Sequence, residues 1–332
     1  MENYNNVIYS SISYRRNIKD VPFIKTLTDT ELAIGITRSL SEIIGDDFEF
    51  KSLKNMPLED CLKLEEKETI TQNLIDNKDI SAYGKNDDGT FIYINEEDQI
   101  RIVNRLQGFN LEECYKNVNI LDDKILDKLE MAFNTNYGFL TANPILCGTG
   151  MEVECLLFVP ALAQAEKLKK IEKELLKDEF VFLSINNKEL NYNCPFIKIK
   201  NKYTYGYKEN EFAEKIKHII EKILEIEQLE ENNIFEFSAS NLVDKIYRNF
   251  GIAKNAYRLN LNEALNLLGY IFWGINLKML KSKKKFDVLN IFNKLKEKHL
   301  SKDNLNVKEI EKIRAKTLAN MLEFVIKGEV DV

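Results

Sequence analysis

The segment Tyr93-Ile-Asn-Glu-Glu-Asp-Gln-Ile-Arg101 sets three consecutive carboxylates directly after a β-branched and aromatic run and closes them with an arginine. Carboxylates can hold a cationic group and take up its proton, and an arginine fork can grip an anion through two parallel hydrogen bonds. A strand cannot aim three successive side chains at solvent, so the cluster belongs at a strand end; the other reading is an acidic helix start, where Glu and Asp favour the positive end of the macrodipole. Other chemistries lack their residues. No Walker loop, GxGxxG or GxSxG occurs. His218 and His299 lie far apart, which suggests no histidine-based zinc cluster. Cys61, Cys114, Cys147, Cys155 and Cys194 are odd in number, show no CxxC spacing and read as free thiols of a reducing cytosol.

The elements that must position this cluster belong to a chain of 332 residues, 44% apolar and 30% charged, long enough for one large or two modest cores. A net charge of -6 recommends neither nucleic acid nor an anionic membrane as partner. The longest apolar run, Leu267 to Ile275, contains two glycines and falls far short of the roughly 20 residues a spanning helix needs. The chain opens Met-Glu-Asn-Tyr-Asn-Asn, without the basic head and apolar stretch of a leader, so a cytoplasmic protein is expected. Runs rich in Val, Ile, Phe and Tyr predict strands over 6–14, 90–95, 152–160, 179–185 and 194–199. Helical spacing predicts helices over 28–44, 97–105 with 110–118, 122–134, 161–177 and 209–231. The elements do not alternate strictly, which favours an α+β domain over a doubly wound sheet. After Glu230-Glu-Asn-Asn233 the chain turns almost wholly helical, with Asn260/Glu263 and Asn306/Glu309 spaced as capping boxes, so a boundary is placed near 232. Lysines between 278 and 298 form a basic cluster that reads as a solvated face.

Beyond the acidic element stand Tyr137-Gly-Phe-Leu-Thr141, Gly148-Thr-Gly150 and Leu156-Leu-Phe-Val-Pro-Ala-Leu162, and before it Ser10-Ser-Ile-Ser-Tyr-Arg-Arg-Asn-Ile18. In order and spacing these resemble the ATP:guanido phosphotransferases, and most of all the bacterial protein-arginine kinases. The likeness is specific over 90–162. It is weaker over 7–23 and 208–332, where Asp244-Lys-Ile-Tyr-Arg-Asn-Phe-Gly251 and Asn262-Glu-Ala-Leu265 are similar to that group's C-terminal domain. The resemblance implies a guanido-kinase (glutamine-synthetase-like) fold: an antiparallel β-sheet flanked by helices over 1–231, then an all-helical domain over 232–332 that supports dimerisation. It also implies ATP and Mg²⁺ as the reactants of an active member, with γ-phosphoryl transfer to a guanidinium nitrogen helped mainly by cationic clamps.

By the same resemblance, Glu97 falls on the guanidinium-binding glutamate and Arg101 on a phosphate-binding arginine, with Gln99 replacing a histidine between them. The remaining positions depart from the pattern. The motif Ser-Ser-Arg-Val-Arg-Leu-Ala-Arg-Asn, aligned on Arg16-Asn17, puts Ser11 and Ser13 at its two phosphate arginines. Gly-Thr-Gly-Leu-Arg becomes Gly-Thr-Gly-Met-Glu, ending at Glu152. In Val181 to Glu189, Leu183 replaces an arginine and Lys188 a loop glutamate. Asn143 replaces the reactive cysteine; Cys147 is nearby but out of register and reads as structural. In the C-terminal phosphoarginine pocket Arg314-Ala315 persists, but Ile310-Glu311 replaces the Arg-Asp pair. Arg248 and Arg314 remain candidate anion contacts, or surface ion-pair partners.

Arginine scarcity alone, 8 against 39 lysines, does not explain Ser, Ser, Glu and Leu at these sites, because none keeps the charge. The leading expectation is an inactive or impaired pseudokinase with a regulatory or binding role in protein quality control. It would be a homodimer or would bind a Clp ATPase, a kinase activator or a heat-shock repressor. The alternatives are an active ATP-dependent protein-arginine kinase with a rearranged nucleotide site, and a kinase of small guanidino compounds. The last sits poorly with a Ser-Ser motif that begins by residue 10, since those enzymes carry an additional N-terminal helical domain.

Overall fold

The computed structural model describes residues 6–175, 179–185, 192–206, 208–300 and 305–328. In chain order come β1 (Val7–Arg16), α1 (Thr30–Ile44), β2 (Glu49–Ser52), α2 (Leu58–Glu66), α3 (Gln72–Asp76), β3 (Ala82–Lys85), β4 (Thr90–Ile94), β5 (Ile100–Gln107), α4 (Leu111–Leu126), β6 (Phe133–Asn134), β7 (Gly138–Phe139) and β8 (Met151–Phe158). Then follow α5 (Pro160–Gln164), α6 (Leu168–Leu175), β9 (Phe180–Ser184), β10 (Phe196–Asn201), α7 (Glu209–Asn255), α8 (Leu261–Asn276), β11 (Leu280–Ser282), α9 (Val288–Leu295), α10 (Glu297–Leu300), α11 (Val307–Met321) and β12 (Val325–Lys327). The chain divides into two compact units, Met1–Phe158 with Lys170–Glu189 and Ile197–Ile223, and Val159–Lys169 with Leu190–Phe196 and Leu224–Val332.

The first unit is built on an eight-stranded sheet in the order β2-β3-β4-β5-β1-β8-β10-β9. The pairs β2/β3, β3/β4, β4/β5, β5/β1, β1/β8 and β10/β9 are antiparallel. All ten residues of the central strand β1 are buried. Its even positions meet α4: Ser10 O accepts from Cys114 Sγ, and Tyr14 Oη donates to Asn119 at 2.8 Å. Its odd positions, Ser11, Ser13 and Arg15, therefore share the opposite face, because strand side chains alternate. α1 is helical for visible reasons. Asp29 caps its first turn by accepting from the N–H groups of Glu31 and Leu32, and Ala33, Ile36, Leu40 and Ile44 line up as one buried stripe. Gly45 ends it at a φ of 77°.

The expected α+β antiparallel architecture with a helical C-terminal region is present, and the expected strands appear as β1, β4, β8, β9 and β10 within one or two residues. Three helix expectations are corrected. Residues 97–105 form the end of a hairpin turn and strand β5, not a helix, since backbone pairing with β1 and β4 claims this segment on both sides. The helix expected over 122–134 is the end of α4, which stops at Leu126; Phe133–Asn134 is a strand. The helix expected over 161–177 is two, α5 and α6, separated where Glu166 takes a φ of 56°.

In the second unit α8 buries Leu265, Leu268, Ile271 and Trp273, and the Trp273 indole N–H donates to Glu231 at 2.7 Å. Asn306 and Glu309 make the full capping box at the start of α11, whereas Asn260 supplies the side-chain half at α8. β11 and β12 form a two-stranded ribbon. Position 232 falls inside α7, whose one non-helical residue is Ser238. Among the described residues no helix is long and apolar enough to cross a membrane.

Candidate functional site

The three carboxylates occupy the tip of the β4–β5 hairpin. Asn95 takes a φ of 57°, its N–H donates to Gln99 O at 2.9 Å, and the Glu96 N–H donates to Asp98 O at 3.0 Å. Asn tolerates the left-handed region better than most residues, and here its side chain is also anchored by donating to Ala33 O and Ile80 O. The strand-end reading of the acidic cluster holds; the helix-start reading does not. Asp98 is fully buried, accepting from Asn17 Nδ2 and the Ala142 N–H, each at 2.7 Å. Glu96 is buried and accepts from Thr71 Oγ1 at 2.5 Å and from Arg101 Nη1 at 3.2 Å. Glu97 is the most open of the three, its side chain 23% exposed. Gln99, in the position of a motif histidine, ties the turn to the chain after β1: its Oε1 accepts from the Ile18 N–H and its Nε2 donates to Pro22 O.

Strand register brings the other site positions onto the same face. Ser13 lies opposite Glu152 on β8 and Val103 on β5; Ser11 lies opposite Glu154 and Arg105; Arg15 lies opposite Arg101. Glu152 and Glu154 are held by cations that sequence reasoning missed. Arg15 Nε donates to Glu152 Oε2 at 3.0 Å, Lys200 pairs with the other Glu152 oxygen, and Arg101 stands 4.0 Å away. Lys198, itself almost fully buried, lies 3.3 Å from Glu154, with Arg105 at 3.7 Å and the Tyr9 hydroxyl donating at 2.7 Å. Arg15 also reaches the hairpin tip, its Nη1 3.4 Å from Glu96 and from Asp98 and 3.8 Å from Glu97. Lys25 approaches the other Glu97 oxygen at 3.6 Å.

This lattice moves the titration of its members. Burial alone would raise the Glu152 carboxyl, but the charges of Arg15, Lys200 and Arg101 outweigh it and hold the group well below the usual carboxylate range. Burial likewise opposes ionisation of Glu154, and Lys198 and Arg105 overcome it. Burial works against the Arg15 cation, but Glu152, Glu96 and Asp98 raise its pKa further. The face is thus a closed set of opposite charges, in which every arginine already has a carboxylate partner. Such a surface offers a polyanion no uncompensated positive field, and a triphosphate could bind the arginines only by displacing carboxylates. The residues present do not fit the phosphate clamp that the resemblance implies.

One of the other expected positions, Leu183, borders this lattice through Lys198. Leu183 is half-buried on β9, opposite Lys198. Lys188 lies outside the described residues. Asn143 caps a short 3₁₀ turn, accepting from the Ile145 N–H, and Cys147 Sγ lies 3.6 Å from Thr141 Oγ1. In the second unit Ile310 is buried in the core. Arg314 is a correction to both readings given above. It is neither an anion contact nor a surface ion-pair partner, because it is buried and donates to Leu295 O at 2.8 Å and Leu259 O at 3.0 Å. Arg248 makes an exposed pair with Asp244 one turn away. Among the described residues no group of three or more His, Cys, Asp or Glu is arranged to hold a metal ion.

Comparison with known proteins identifies the family and the fold. The profile of the ATP:guanido phosphotransferase C-terminal catalytic domain matches residues 35–230, and that of the protein-arginine kinase McsB C-terminal domain matches 239–330. A protein-arginine kinase of Clostridium acetobutylicum is 29% identical over 327 residues, covering 93% of this chain and 95% of that one. Another from Clostridium botulinum is 30% identical over 321 residues, covering 93% and 94%. Among solved structures, lombricine kinase aligns with a TM-score of 0.60 at 17% identity, covering 70% of this chain and 68% of the other. The duplicated taurocyamine kinase of Schistosoma mansoni aligns at 0.59 and 23% identity over 68% of this chain, which spans only 33% of that longer protein. These likenesses support the fold, and the matches along both segments place the chain in the ATP:guanido phosphotransferase family, among the relatives of the protein-arginine kinases.

Proposed function

We propose that this chain is a protein-arginine-kinase relative with little or no capacity to bind ATP productively, and that it works as a binding or regulatory protein in protein quality control. The observation that carries the reading is the register of Ser13 against Glu152 with Arg15 bridging to the latter: cations needed by phosphate are absent or already neutralised. Losing one partner of a close charge pair costs about 2–5 kcal/mol, so two losses of about 3 kcal/mol weaken nucleotide binding roughly 10⁴-fold. The regulatory role would be exercised in the cytoplasm, by a homodimer or by a complex with a Clp-type ATPase, a kinase activator or a heat-shock repressor.

A second reading, an active protein-arginine kinase with a rearranged nucleotide site, is favoured by Lys198, Lys200 and Arg105, which bring cations close to the vacated arginine positions. Calorimetry with MgATP, followed by mass spectrometry of phosphoarginine on a mixed protein substrate, separates the two. The pseudokinase reading expects neither micromolar affinity nor product. Micromolar affinity together with arginine phosphorylation that disappears in Glu97→Gln would establish the second reading instead.

A further inference from the structure

Arg15 stands where the family motif quoted above has an alanine, and no role in binding phosphate accounts for where it points. Its guanidinium is buried, with Nε on Glu152 at 3.0 Å and Nη1 within 3.4 Å of Glu96 and Asp98 and 3.8 Å of Glu97. Four carboxylates from two elements, the hairpin tip and β8, thus converge on one planar cation. This is the environment that recognises a guanidinium and distinguishes it from an ammonium, because the fork can serve several oxygens in a plane. The backbone holds the side chain in this place: the Arg15 N–H donates to Gly150 O at 3.0 Å, and Gly150, at a φ of 63°, leaves room where a Cβ would stand 2.7 Å from Arg15 O. Glu97, the most open member of the cluster, has a cation at each oxygen, Arg15 at Oε2 and Lys25 at Oε1.

We propose that Arg15 is a resident occupant of a guanidinium cradle and the residue that bars an arginine side chain from it. An incoming guanidinium finds Glu97 taken on both oxygens and the buried carboxylates behind it already neutralised. This deepens the functional reading above and rests on it only in supposing that the chain does not turn over arginine. The cradle itself follows from the distances.

The test is chemical rescue of the full-length Arg15→Ala variant. Removing Arg15 leaves a guanidinium-shaped space lined by four carboxylates, so low millimolar guanidinium chloride should raise the melting temperature of the variant while leaving that of the wild type unchanged or lower. Equal concentrations of urea or ammonium chloride should not raise it. In addition, N-acetyl-arginine N-methylamide should bind the variant at least tenfold more tightly than the wild type, and Glu97→Gln in the variant background should remove that gain. If Arg15→Ala does not fold, Arg15→Ala with Glu152→Gln lessens the unpaired buried charge, keeps the space open beside Glu96, Glu97 and Asp98, and carries the same measurements. Guanidinium lowering the melting temperatures of variant and wild type alike, or equal binding of the blocked arginine to both, would overturn the proposal. Neither readout involves nucleotide, so the two readings fail separately: MgATP binding by the wild type strikes the functional one, and absent rescue strikes this one.

Discussion

Ser13 and Glu152 face each other across the β1–β8 pair, at the two positions that the resemblance sets against motif arginines. Ser13 is small and buried, and Arg15, two residues further on the same face, leans across to Glu152 at 3.0 Å. Against that pattern, Ser13 supplies no cation and Glu152 carries the opposite charge. Together with Arg15 they amount to an internally paired site, whose consequences for stability are separable from those for binding.

Glu152→Gln should therefore destabilise the protein by about 3 kcal/mol, the lower end for breaking a buried ion pair, because a carboxamide keeps one acceptor but removes the negative charge that Arg15 and Lys200 share. Urea denaturation at neutral pH reads this directly. The pH dependence carries a sign. Glu152 and Glu154 ionise lower in the folded than in the unfolded chain, so their contribution is present above the ordinary carboxylate range and is lost as pH falls below it. The wild type should lose stability on acidification more steeply than the variant.

Arg314→Ala should destabilise the C-terminal unit by about 1–3 kcal/mol, because the carbonyls of Leu295 and Leu259 each lose a charged donor within a buried setting. The measurement is thermal unfolding. A variant as stable as the wild type would show that the two carbonyl bonds contribute nothing.

The acidic hairpin was legible in the sequence as a cluster needing a strand end, and β1, β4 and β8 were legible as β-branched runs. β5 was not. Ile100, Val103 and Leu106 recur every third residue, which suits a helix as well as half a strand, and the turn that decides the matter rests on Asn95 without a glycine signal. The cations were harder still. Lys198 and Lys200 alternate on a segment whose composition reads as any strand near solvent, and only register beside β8 reveals that they meet Glu154 and Glu152. Arg15 hid within a motif where the neighbouring Arg16 drew the alignment; Arg16 turns to the opposite face and pairs with Asp122 at 2.7 Å.

Glu227 supplies a second pH effect of opposite sign. Its buried carboxyl accepts from the N–H groups of Ala161 and Leu162 at 2.8 and 2.9 Å. Burial pushes it up to about 8 in spite of those bonds, which act the other way. A folded-state value above the unfolded one means that the contribution is full below the ordinary Glu range and is lost as pH rises toward about 8, at a slope of up to about 1.4 kcal/mol per pH unit. Glu227→Gln, which retains an acceptor and cannot ionise, should flatten the stability profile across that interval. Chemical denaturation at a series of pH values from mildly acidic to mildly alkaline gives the comparison, and parallel profiles would refute the assignment.

Charge restoration is the most direct challenge to the view that electrostatics, and not the shape of the cleft, keeps nucleotide out. The triple substitution Arg15→Ala, Ser13→Arg, Glu152→Arg returns two cations to the positions the family motifs assign them and removes the side chain that competes for the acidic cluster. Hydrogen bonds to charged groups contribute about 1.5–3 kcal/mol each, so two regained phosphate contacts should tighten MgATP binding by at least about 10²-fold. Calorimetry at low and high salt reads both the gain and its origin, since a gain carried by charge shrinks as salt screens it. Glu154 and Glu96 remain nearby and could capture the new arginines; a triple variant with unchanged nucleotide affinity would mean that the face re-pairs internally whatever its sign. Adding Glu154→Gln to that variant distinguishes recapture from a cleft closed by its shape, because it removes the acidic charge that remains on this face of β8 and leaves the backbone as it was.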